Sequence, residues 1–261
     1  MGALAATLAC ATAPAVALSP GATGTAAPSC ALGGVPSVAA GGVPAALAAA
    51  LASVSPARLR RNVDKLVSFG TRHTLSDGDD PARGIGAARA WIKSEMEVIA
   101  AASGRRGDEA IRVSFDTHRV EPDGRRITRP VDVVNVVAVV PGSLPAAASR
   151  RYLVVGHYDS RASDPLDATS DAPGANDDAS GVAVVLESLR VLSTGRHDAT
   201  LVFLATAGEE QGLLGAAGYA AAARRAGEDL RGVLSNDIVG DPRSPFGGAY
   251  RERVRVFSEG I

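Results

Sequence analysis

Cysteine is nearly absent from this chain. Its only two, Cys10 and Cys30, both fall within the first fifty residues, so the remainder has no disulfide framework to staple it together. Charge is missing from the same end: no Asp, Glu, Lys, Arg or His precedes Arg58. That stretch still contains no uninterrupted apolar run of the about 18 to 20 residues that a membrane-spanning helix needs, because Pro14, Pro20, Pro28, Pro36 and Pro44 break it. Across the whole chain the formal net charge is -1, which gives no electrostatic reason to expect nucleic acid or an anionic membrane as a partner. No G-x-S-x-G elbow and no H-E-x-x-H helix occurs. These absences argue against a serine hydrolase and against a helix carrying a two-histidine metal site.

Residues 1–54 are Ala, Gly, Pro, Ser, Thr, Val and Leu with little else. The small residues through Ala15, Val16 and Ala17 resemble a secretory signal that lacks its basic start. The segment therefore reads as a signal-like leader and linker, with a secreted or periplasmic location as the expectation. A low-complexity linker is the plainer alternative. Residues 55–261 read as one α/β domain with ample chain for a core. Within it, SPARLRRNVDKLVSF has helical periodicity and opens on Ser55 and Pro56, suited to the N-cap and first turn. IGAARAWIKSEMEVIAAA is a second helical stretch. IRVSFDTHRV and RRITRPVDVVNVVAVV flank EPDG and predict an antiparallel hairpin at one edge of the sheet. Later strands alternate with helices, which predicts a mixed, mostly parallel central sheet with helices on both faces.

The polar residues that interrupt this pattern are few and patterned. RYLVVG, a buried-strand run, ends in His157 and Asp159; in extended chain these face the same way, so Asp159 can orient the imidazole. PGANDDASG turns at Pro173 and Gly174 before the helical run GVAVVLESLRVL, placing Asp177 just ahead of a helix. Asp178 and Ser180 read as caps for its free N–H groups. ATLVFLATAG ends in Glu209 and Glu210, adjacent carboxylates that repel unless a cation or a shared proton compensates. GVLSND brings Asp237 to the end of a third run. Strand ends in an open α/β sheet gather at its carboxyl edge, so one imidazole and several carboxylates converge there. That donor set suits a divalent metal such as zinc, which takes imidazole nitrogen and carboxylate oxygen at about 2.0 to 2.2 Å. Two ions about 3.5 to 4 Å apart could share a carboxylate. His73, His118 and His197 read as loop, hairpin and pre-strand residues, and Asp164, Asp167 and Asp171 as a solvated loop.

The order and spacing of HYDS, GANDDASG, GEEQGLLG and ND resemble the M28 family of zinc metallopeptidases. The resemblance runs from about Leu59 to Ile261 and is most specific between Tyr152 and Gly240. It implies an aminopeptidase-like fold, a peptide or protein substrate, and two Zn2+ ions. It also implies roles: His157 and Asp237 hold one zinc, Asp177 bridges, Glu210 holds the second, Glu209 is the general base and Asp159 orients His157. A cis peptide between Asp177 and Asp178 is implied as well. One departure stands out, because the family completes its second zinc with a histidine well downstream of Asp237, whereas the last histidine here is His197. The expectation is a chain that is incomplete at its C-terminal end. The predicted function is hydrolysis of peptide bonds, most simply release of N-terminal residues. The alternatives are a glutaminyl-cyclase-like or M20-like metallohydrolase, and a non-catalytic binding domain of the same fold.

Overall fold

In a computed structural model, the described residues are 44–243 together with 248, 249, 251, 256 and 257. The leader reading therefore lies almost wholly outside them. Its last part, Ala45–Ala52, forms an exposed helix, α1. Helix α2, Pro56–Val67, starts as its sequence dictates: Ser55 accepts a hydrogen bond from the Arg58 backbone N–H and Pro56 occupies the first turn. Helix α3, Gly84–Ala102, buries Ile85, Ala88, Ile92, Met96 and Ile99, a spacing that puts one apolar stripe against the sheet.

The hairpin is observed as β1, Arg112–Val120, and β2, Val131–Val140, paired antiparallel. The chain continues through β3, Arg150–His157; α4, Ala179–Leu192; β4, Thr200–Thr206; α5, Leu214–Ala226; and β5, Asp229–Ser235. The sheet order is β1-β2-β4-β3-β5. It is mixed: β2 and β4 are antiparallel, while β3 runs parallel to both β4 and β5. Helices cover both faces. Val136, Ala138, Val140, Val154, Phe203 and Ala205 pack with α2, α3 and α4 on one side. The alternate residues Val137, Leu153, Val202 and Leu204 meet Tyr219 of α5 on the other. The period of two along each strand is what separates these layers.

This topology positions the site. From β3 the chain crosses through α4 to β4, then through α5 to β5 on the far side of β3. The central strand β3 thus has a parallel neighbour on each side, and the loops leaving its carboxyl end diverge around an open crevice. Close approach of α4 to β3 depends on glycine. A Cβ at Gly156 would sit 2.7 Å from the Gly181 backbone carbon, a contact that backbone cannot relieve by rotating. Gly156→Ala is expected to destabilise the fold by about 1–3 kcal/mol through overpacking. The check is a shift of the urea unfolding midpoint at unchanged slope.

Candidate metal centre

His157 closes β3 and is 4% exposed. Its Nδ1 faces Asp159, 3.2 Å from that residue's carbonyl oxygen and 3.5 Å from its carboxylate. The expected orienting contact is thus made jointly, with the carbonyl closer. The Asp159 carboxylate is fully buried and serves a second purpose. It accepts the Glu209 backbone N–H at 3.2 Å, the Glu210 backbone N–H at 3.1 Å and the Thr74 hydroxyl at 3.3 Å. One side chain therefore fixes the glutamate turn relative to the imidazole.

The other nitrogen, His157 Nε2, is buried without a hydrogen-bond partner. Around it stand Asp177 Oδ1 at 3.1 Å, Glu209 Oε2 at 3.8 Å and Asp237 Oδ1 at 3.9 Å. The Asp177 contact has ion-pair distance without hydrogen-bond alignment. Glu210 stands apart from this group: its carboxylate pairs with Arg161 Nε at 2.7 Å, and the nearby charge of Asp177 is among the influences on it. Asp177 is the acid common to both neighbourhoods. The Asp177–Asp178 peptide is cis.

Asp178, His157 and Asp237 also offer donor atoms within 4.8 Å of one another, but Asp178 is already committed. Its two oxygens accept the Gly181 N–H at 2.8 Å and the His157 N–H at 3.0 Å, so it caps α4 as its sequence position suggests and ties that helix to β3. Ser180 does not cap the helix, contrary to expectation. With the helix start already taken by Asp178, its hydroxyl donates to the Asn176 carbonyl at 2.7 Å and accepts the Val239 N–H at 3.1 Å. It joins the loop carrying Asp177 to the loop carrying Asp237. Asn236 completes this anchoring by donating its backbone N–H to Val155 at 2.8 Å and its side-chain amide at 3.1 Å.

A further positioning residue lies outside the motifs that the sequence pattern singles out. Asn135 is a fully buried amide in the middle of apolar β2. Its oxygen accepts the Ala207 N–H at 3.1 Å and its nitrogen donates to Gly215 O at 2.9 Å and to Asp116 at 2.8 Å. It clasps both ends of the loop bearing Glu209 and Glu210. A single polar residue inside VVNVVAVV was the available signal, since a buried amide requires partners. His73 lies in a loop, as expected, and is fully buried there against Pro165 and Gln211. Asp164 and Asp167 cap their own loop.

The electrostatics follow from this crowding. Burial raises the carboxyl pKa of Glu209, Glu210 and Asp237, and neighbouring acids add to the rise. Asp177 is held below its usual range by the contact with His157. Burial by itself would lower the imidazole pKa, but Asp159 and Asp177 outweigh it and raise His157 to about 11. A buried, partnerless imidazole nitrogen facing three carboxylates is a donor set that a divalent cation fits, because the cation removes both the repulsion and the orphaned atom.

Residues 135–254 match Peptidase family M28. A probable zinc metalloprotease of Pyricularia oryzae is 50% identical over 212 residues, covering 81% of this chain and 41% of that protein. The chain spans 41% and 48% of the length of two such curated relatives. Among solved structures, the fold is shared with the LapA aminopeptidase of Legionella pneumophila (TM-score 0.55, 21% identity, covering 75% of this chain and 46% of that one). It is shared equally with the glutaminyl cyclase of Porphyromonas gingivalis (TM-score 0.55, 21% identity, 72% and 62%). With the site geometry and these likenesses together, the chain belongs to peptidase family M28.

Proposed function

We propose that this chain supplies the zinc-binding core of a peptidase that releases N-terminal residues from peptides. One observation carries the reading: the buried, unpartnered Nε2 of His157 faces Asp177, Glu209 and Asp237 from three different loops. His157 and Asp237 would hold one zinc, Glu210 a second, and Asp177 would bridge them. Zinc, when bound, acts as a Lewis acid toward the scissile carbonyl and lowers the pKa of water. Glu209, half-buried and with a raised pKa, is suited to take a proton from the attacking water and deliver it to the leaving amine. Asp159 holds the backbone of Glu209 and Glu210 in register with His157 throughout. The names of the fungal relatives support zinc and proteolysis, and the small-residue N-terminal stretch supports action outside the cytoplasm.

Glu209→Gln is expected to keep zinc content while kcat falls about a hundred- to ten-thousandfold. Elemental analysis beside an aminoacyl-amide assay reads both quantities, and a Glu209→Gln enzyme of normal rate would exclude the base assignment. Asp177→Ala is expected to lose zinc itself; retention of two ions would refute the bridge. Assaying pyroglutamate formation from N-terminal glutamine in parallel separates peptidase from cyclase chemistry.

Zinc uptake is also expected to release protons. Metal needs a neutral imidazole, and with protein groups alone around it His157 stays protonated up to about 11. Below that value the zinc held by His157 and Asp237 must displace the His157 proton, so the apparent affinity for that ion rises with pH. Calorimetry in buffers of different ionisation heat gives the proton count. An affinity flat from about pH 6 to 9 would contradict the coupling.

A further inference from the structure

Arg72 is fully buried and is among the largest of the fully buried side chains. A guanidinium in such a position is costly unless its donors and its charge are both answered. Four of its five N–H donors reach backbone carbonyls: Nε to Tyr158 at 2.6 Å, Nη1 to Leu66 at 3.0 Å and Pro173 at 2.8 Å, and Nη2 to Gly174 at 3.0 Å. No ion-pair partner meets its charge among the described residues. Only the fields of Asp159, Asp178 and Asp177 oppose the burial that lowers its pKa to about 10.

The choice of these carbonyls is informative. Leu66 lies at the end of α2. Tyr158 sits between His157 and Asp159. Pro173 and Gly174 form the turn that leads into Asp177. Around the same point, the Arg72 backbone N–H donates to Ser160 Oγ at 3.1 Å, and that hydroxyl donates onward to Ala172 O at 2.7 Å. A Cβ at Gly174 would stand 2.9 Å from Arg72 Nη2, so turn and guanidinium are in direct contact. Nothing else among these contacts joins α2, the β3 terminus and the Asp177 turn through a single side chain. Lysine could supply the charge, but a lone ammonium cannot span carbonyls on three segments as the planar fork does.

We propose that Arg72 is a positioning residue for the metal centre, fixing the strand end that carries His157 and Asp159 against the turn that delivers Asp177. The proposal rests on reading that centre as a zinc site. It is tested with Arg72→Lys and Arg72→Gln in the full chain, read by hydrogen–deuterium exchange without metal and by zinc competition against a chromophoric chelator. The expected result is faster exchange confined to residues 157–161 and 172–179, with the β1–β2 hairpin unchanged. Zinc affinity should fall roughly ten- to a hundredfold, as for other outer partners of metal ligands, and less in the lysine variant. Exchange identical to wild type in both segments overturns the proposal. So does faster exchange with undiminished zinc affinity, and so does deprotection spread evenly over the hairpin, which marks a general fold role. A wild-type chain that takes up no zinc sinks the metal reading instead, and the exchange data then still decide whether Arg72 holds the two segments together.

Discussion

The site depends on one buried carboxylate. Asp159 has no exposure to solvent, and the energetic demand of burying its charge is met by donors from separate parts of the chain: Thr74, and the backbone of Glu209 and Glu210. Because those donors lie on different elements, satisfying one acid forces the glutamate turn and the His157 strand end into a single geometry. Hydrogen bonds to a buried charge are the strong kind, and leaving that charge unmet would be severe. The electrostatic need of one residue thus becomes the register of the whole centre.

Around that anchor the fold accumulates like charge. Asp177, Glu209 and Asp237 all come within 4 Å of a single imidazole nitrogen, and burial, with the neighbouring acids, raises the carboxyl pKa of Glu209 and Asp237. Positive charge is supplied from two sides, by Arg161 against Glu210 and by buried Arg72 beneath the acids. Neither removes the orphaned His157 nitrogen. A concentration of acids kept together by backbone hydrogen bonds, with an unsatisfied nitrogen at its centre, is organised to receive a cation rather than to exist for stability.

Much of this was legible in the chain. The Ser55–Pro56 helix start, the hairpin, the alternation of β3, β4 and β5 with helices, and the identity of the converging residues all follow from local signals: caps, period, and polar residues at the ends of apolar runs. The residues that hold the ligands in place were not. In the sequence Asn135 is one more position in a strand-like run, Ser180 reads as a helix cap, and nothing local marks Arg72. Their partners are distant in sequence, so no local pattern records them.

The sequence by itself determined which side chains would gather at the carboxyl edge of the sheet, because strand period and chain direction decide where each run ends. Only the tertiary structure decided that Asp178 spends both oxygens on backbone while Asp177 faces the imidazole, and that Asp159 holds the glutamates as well as the histidine. The physical reason is that hydrogen bonds to buried groups are assigned by proximity across strands and loops, and that proximity exists only once the sheet has formed.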